Sequence, residues 1–152
     1  MSNKASIYAG LVAKIKALID KDIGLIGNLA NISAAINEDF GFLWVGFYLV
    51  QDNELVLGPF QGPVACTRIA YGRGVCGTAW EKDEVVVVGN VHEFSGHITC
   101  SSETNSEIVL PVHDTDSKVK LVLDIDSVHL NAFDETDVQY LSEIVREIES
   151  LL

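Results

Sequence analysis

The chain is short of positive charge: ten Lys and Arg stand against 22 Asp and Glu in 152 residues, a formal net charge of -12. A surface so acidic offers no basic footprint for a phosphate backbone and repels anionic lipid, which argues against nucleic-acid and membrane-surface roles. Long apolar runs are missing as well. The longest, Phe42 to Val50, is interrupted by Gly46 and falls far below the ~20 residues that span a bilayer. Met1 to Asp20 alternates Lys with apolar residues at helical spacing, without the continuous apolar core of a signal peptide, so the chain reads as cytoplasmic. No internal repeat, low-complexity tract or linker divides it. Residues 1–152 are therefore expected to form one domain, with 48% hydrophobic content to build its core.

Cysteine is sparse and unpaired in pattern. Cys66, Cys76 and Cys100 show neither a CxxC redox pair nor a paired zinc-knuckle spacing, so any pairing must be made by the fold. In a reducing compartment three thiols do not make a structural disulfide framework; they are free, catalytic, redox-cycling or metal-binding. The plain alternative makes Cys66 and Cys76 small core residues and Cys100 an incidental loop thiol. Metal binding by His92, His97 and Cys100 has no recognised spacing behind it, and no metal is expected.

What is present reads as α+β. Ile7, Leu11, Ile15 and Leu18 fall on one helical face, and Leu25, Leu29, Ile32 and Ile36 repeat the pattern after a break at Gly24 and Gly27. Phe42 to Val50, turn residues Gln51 to Glu54, and Leu55 to Leu57 predict a hairpin. Gly58 to Pro63 reads as a loop, Cys66 to Tyr71 as a short strand, and Thr78 to Lys82 as a short helix. Glu84 to Val88, Glu107 to Val112 and Val119 to Ile125 are expected strands. Asp134 is placed to cap a last helix with Val138, Leu141, Ile144, Ile148 and Leu151 as its stripe. Helix, helix, three strands, short helix, three strands, helix predicts a six-stranded antiparallel sheet flanked by helices.

Between Gly89 and Ser106 lies a long polar stretch without periodicity, rich in Ser and His, and loops of that length inside a compact domain tend to be functional. Cys100 sits in it, where an exposed thiol can react. The other anomaly is acidic. Asp124-Ile125-Asp126 puts two carboxyls on one strand face, and Glu107 opens the expected partner strand, so three carboxyls converge unless that face is simply solvated. Converging carboxyls raise one another's pKa, and one can stay protonated near neutrality to act as an acid. Trp44 and Tyr48, four apart on a strand, share a face and either wall an apolar pocket or fill the core. Gly72, Arg73, Gly74 and Gly77 miss the dinucleotide and P-loop spacings, although amides at a helix start can receive a carboxylate.

From Phe42 onward, about three-quarters of the chain, the sequence resembles the GAF-domain free methionine-(R)-sulfoxide reductases. The likeness rests on Trp44-Val45-Gly46-Phe47-Tyr48, Leu57-Gly58-Pro59-Phe60-Gln61-Gly62, Ala65-Cys66-Thr67-Arg68-Ile69 and Gly72-Arg73-Gly74-Val75-Cys76-Gly77. It continues through Val91-His92, Gly96-His97-Ile98, Cys100, Asn105-Ser106-Glu107-Ile108-Val109 and Leu123-Asp124-Ile125-Asp126-Ser127. Where the family commonly has Cys-Asp and a Pro after Asp-Ile-Asp-Ser, this chain has Cys100-Ser101 and Ser127-Val128. The resemblance implies a GAF-like fold and reduction of free methionine sulfoxide, with Cys100 as nucleophile, Cys66 resolving it as a disulfide and Cys76 a secondary thiol. It further implies Glu107 as the acid, Asp124 and Asp126 at the substrate ammonium, and Trp44 and Tyr48 around its methyl thioether. No bound cofactor is expected; a thioredoxin-type dithiol serves as external reductant, and a homodimer is the expected assembly. A non-catalytic GAF module sensing a small ligand or redox state is the competing reading.

Overall fold

The computed structural model describes residues 3–97 and 100–152. Ile98, part of one motif above, lies outside them. Two helices, α1 (Asn3–Leu18) and α2 (Leu25–Phe40), precede the hairpin of β1 (Trp44–Gln51) and β2 (Glu54–Gln61). Then follow β3 (Arg68–Ala70), α3 (Gly74–Lys82), β4 (Val86–Val88), β5 (Ser106–His113), β6 (Val119–Ser127) and α4 (Glu135–Glu149). The six strands form one antiparallel sheet in the order β3-β2-β1-β6-β5-β4, as the α+β reading expects.

Period-2 alternation sorts the strands' side chains between two faces. Val45 and Phe47 of β1, Ile108, Leu110 and Val112 of β5, and Leu121, Leu123 and Ile125 of β6 join Leu29, Ile32 and Ile36 of α2 and Leu141, Ile144 and Ile148 of α4 in the main core. Each such side chain removed from water stabilises the fold by about 1.5–3 kcal/mol. The opposite face is covered by α3 and by the segment between β4 and β5.

Several element boundaries differ from expectation for local reasons. β2 runs on through Gly58 and Pro59, which were expected to form a loop, because Phe47 faces two residues there: Gly46 pairs with Phe60, but Tyr48 pairs with Leu57. That bulge absorbs a proline, which has no amide to give to the ladder. α3 starts at Gly74, not Thr78, so Val75 and Cys76 are helical and buried. Gly77 lets α3 approach β3 closely; a Cβ there would sit 2.7 Å from the carbonyl oxygen of Ala70. β6 extends to Ser127 and so carries Asp126 as well as Asp124.

In α1 the buried stripe is Tyr8, Leu11, Val12 and Ile15, whereas Leu18 is 40% exposed at the helix end. The Tyr8 hydroxyl sets this rotation by donating to the fully buried Asp137 at 2.5 Å, a carboxylate that also receives Lys4 at 2.7 Å. Asp137 completes the predicted cap of α4: Asp134 accepts from the Thr136 amide and Asp137 from the Asp134 amide, a reciprocal capping box. The stripes of α1 and α4 both face the chain's own core.

Candidate active site

Ladder register builds the site floor. Trp44 on β1 stands opposite Asp126 on β6, which stands opposite Glu107 on β5; one step along, Gly46 faces Asp124 and Asp124 faces Val109. The three carboxyls therefore converge on the face away from the main core. Glu107 is 7% exposed and Asp124 5%, so neither lies on a solvated strand face. The thiol of Cys76 reaches the same place from α3, and its sulfur and carboxyl oxygens of Glu107 and Asp124 all lie within 4.8 Å of one another.

Crowding acids in a water-poor space changes their protonation. Burial, and then the charges of Asp124 and Asp126, push Glu107 well above the usual carboxyl range. Burial and the Asp124 charge do the same to Asp126. Asp124 is raised by burial too, but donation from Glu107 and Cys76 works against the rise, which makes it the carboxylate of the three that ionises first. Cys76 is buried and free, and burial together with the facing carboxyls holds its thiol protonated. Among the described residues, the buried Oδ1 atoms of Asp124 and Asp126 and the buried Trp44 Nε1 have no hydrogen-bond partner, so two acceptors and a donor of residues lining the cleft stand unanswered.

One wall is aromatic. Trp44 stacks on Tyr48 at 5.8 Å and on Phe60 at 5.1 Å, with Gly46 between them leaving room for the indole ring. The Tyr48 hydroxyl donates to the Cys66 carbonyl oxygen at 2.8 Å. Arg73, Gly74 and Val75 bring the start of α3 to the rim.

Over this cleft, Cys66 and Cys100 are joined by a disulfide, their Cα atoms 5.4 Å apart although 34 residues separate them in sequence. Cys100 lines the cleft; Cys66 stands behind it, on the segment between β2 and β3. The loop carrying Cys100 is tied down at its far end, where the Asn105 backbone bridges Val91 and Ser127 and its side chain meets His92 Nε2 at 3.0 Å.

Trp44, Tyr48, Cys76, Cys100, Glu107, Asp124 and Asp126 line one cleft, and Cys66 joins it through its disulfide to Cys100, but the grouping of His92, His97 and Cys100 as metal ligands does not form among the described residues: Cys100 is disulfide-bonded and His92 faces Asn105. His97 instead lines the cleft near Cys100. Sequence reasoning missed Thr104, which is 4% exposed, lines the cleft and favours the charged form of Asp126. Its only signal was a small polar residue two positions before an apolar strand.

A model of the GAF domain matches residues 29–152. The chain is 50% identical to GAF domain-containing protein A of Dictyostelium discoideum, over 97% of this chain and 94% of that one. It is 44% identical to the free methionine-R-sulfoxide reductase of Escherichia coli, over 99% and 91%. The structure superposes with a TM-score of 0.94 on the free methionine-R-sulfoxide reductase of Neisseria meningitidis in complex with its substrate, at 48% identity over 99% of this chain and 91% of that one.

Proposed function

Since the chain belongs to the GAF-domain free methionine-R-sulfoxide reductases, which are thiol-dependent oxidoreductases, we propose that it reduces free L-methionine-(R)-sulfoxide through Cys100, with Cys66 as resolving thiol. The observation that carries this reading is the juxtaposition of the Cys66–Cys100 disulfide with three converging carboxyls, those of Glu107 and Asp124 buried and that of Asp126 half-buried, and an aromatic wall.

The substrate's ammonium meets the open oxygens of Asp124 and Asp126, its methyl thioether end lies against Trp44 and Tyr48, and its carboxylate faces the amides at the start of α3. In the reduced enzyme the Cys100 thiolate attacks the sulfoxide sulfur. Glu107, kept protonated by its surroundings, gives its proton to the oxygen as the S–O bond breaks. The hydroxyl so formed passes from the methionine sulfur to the Cys100 sulfur as the S–S bond of the adduct breaks, so methionine leaves and Cys100 holds the oxygen as a sulfenic acid. The Cys66 sulfur then attacks Cys100, an S–S bond forms, and the hydroxyl departs as water with the thiol proton. Two thiols have been oxidised and one sulfoxide reduced.

A carboxyl-rich pocket opposes a thiolate, and two features relieve that opposition: the substrate's positive charge and the neutral form of Glu107. Cys76 is the secondary thiol, held protonated and buried, so Cys66 closes the disulfide. A thioredoxin-type dithiol returns the enzyme to its reduced form by exchange, and no bound cofactor takes part. The reducing cytoplasm suits this cycle; among the described residues no helix is long and apolar enough to cross a membrane. Homodimerisation stays within this reading on the strength of family resemblance, because the apolar stripes of α1 and α4 are used inside the chain. The segment over Cys100 closes the cleft against methionine sulfoxide within a polypeptide.

The test offers reduced enzyme the R and S forms of free methionine sulfoxide and an R-form peptide, and measures methionine or its peptide equivalent. Turnover of the free R form alone is expected. Equal turnover of the peptide, or none of any substrate, contradicts the proposal and leaves a ligand or redox sensor.

A further inference from the structure

The Tyr48 ring explains an aromatic wall, but a phenylalanine would serve there equally well. Its hydroxyl needs a separate reason, because a hydroxyl buried without a partner loses its bonds to water and gains nothing in return. The side chain is 2% exposed, and its partner is neither a carboxyl of the site nor the substrate side of the cleft: it is the carbonyl oxygen of Cys66, 2.8 Å away. Residues 62–67 lie outside any strand or helix. Among the described residues, two hydrogen bonds hold the end of this segment to the sheet: Tyr48 to Cys66, and the Leu57 amide to the Thr67 carbonyl at 3.0 Å. Cys100, by contrast, sits in the long connection between β4 and β5.

We propose that Tyr48 is a positioning residue for resolution: its hydroxyl fixes the backbone of Cys66 so that this sulfur stands within reach of oxidised Cys100. The assignment rests on the reductase reading above. In the step it serves, Cys66 sulfur bonds to Cys100 sulfur, the S–O bond of the sulfenic acid breaks, and the hydroxyl leaves with the Cys66 proton as water. No further oxidant or reductant enters. Holding one sulfur in place makes the closure effectively pre-ordered, and a misplacement of about 1 Å in such a reaction can lower its rate ~100-fold. Tyr48 therefore serves both half-reactions, its ring walling the substrate cleft and its hydroxyl holding the backbone of the resolving cysteine.

The experiment compares fully reduced wild type with Tyr48→Phe in a single turnover of free R-sulfoxide. Methionine release, dimedone-trapped sulfenic acid and the Cys66–Cys100 disulfide are followed together by mass spectrometry. In Tyr48→Phe, closure is expected to slow by at least about tenfold, by a larger factor than methionine release, with trapped sulfenic acid accumulating. Placing 4-aminophenylalanine at position 48, which restores a donor, is expected to recover closure. Closure as fast as in wild type, or both steps falling by one common factor as a merely structural defect would produce, overturns the proposal. If wild type releases no methionine, the reductase reading has failed. Closure after oxidation of Cys100 by hydrogen peroxide then still reads the Tyr48 effect, and equal rates in wild type and Tyr48→Phe overturn it.

Discussion

On β6 the two faces of the sheet differ residue by residue. Leu121, Leu123 and Ile125 enter a core closed by α2 and α4, while Val122, Asp124 and Asp126 face α3 and the disulfide. The first face is chemically quiet: side chains there are apolar, fully buried and interchangeable at the cost of packing. The second gathers carboxyls that burial penalises, orphaned polar atoms, and a bond made between two distant segments. One strand thus supports a stable platform with alternate residues and holds strained electrostatics with the others. The site face is tolerable because the core face supplies the stability.

Four changes break or sharpen that contrast. Cys100→Ser on the site face is expected to abolish methionine production and the disulfide while leaving the thermal transition of the reduced protein nearly unchanged. Glu107→Gln should lower turnover by about 10²–10⁴-fold, the usual range for losing a general acid, as seen in kcat with free R-sulfoxide. Leu123→Ala on the core face inverts the pattern. It should destabilise the fold by about 2–5 kcal/mol in urea titration, with activity per folded molecule retained.

Asp126→Asn tests the electrostatic cost of the site. The folded Asp126 has a raised pKa, so between the ordinary carboxyl pKa and that raised value the folded state holds more protons than the unfolded one. Stability arising from this group is therefore lost as pH rises through that window. Asn cannot ionise. The variant's melting temperature should gain on wild type from about pH 4 to pH 8, by ~2–4 °C for each kcal/mol relieved.

A smaller effect lies off both faces. His113 bridges Asp83 at 2.5 Å and Glu149 at 3.0 Å, tying the end of α3 to the end of α4. Burial lowers its pKa, but the hydrogen bonds and charges of those two carboxylates outweigh this and raise it. The bridge is complete below the ordinary histidine pKa and is lost as pH climbs through the raised one. Its partial exposure keeps the stabilisation below about 1 kcal/mol. Denaturation of His113→Gln against wild type should show a deficit at pH 6 that fades by pH 9.

The core face was legible because apolar residues at periods of two and 3.6 report burial directly, and the capping role of Asp134 follows from its place before an amphipathic run. The carboxyl trio was legible for the opposite reason: Asp124 and Asp126 interrupt an apolar strand that has no local use for them. The gaps are tertiary in origin. Pro59 reads as a strand breaker until the bulge opposite Phe47 is known. The burial of Tyr8 in place of Leu18 depends on Asp137, 129 residues away. Only its place two positions before an apolar strand marks Thr104, and the Tyr48 hydroxyl finds Cys66 only through the pairing of β1 with β2.

The most direct measurement counts products in one turnover: reduced enzyme without any recycling dithiol is mixed with excess free methionine-(R)-sulfoxide, and methionine, remaining thiols and disulfide linkage are quantified. One methionine per chain is expected, with two thiols lost and Cys66 linked to Cys100 while Cys76 stays free. Methionine formed without loss of thiols, or a linkage through Cys76, would contradict the assignment of the site face's chemistry to Cys100 and Cys66.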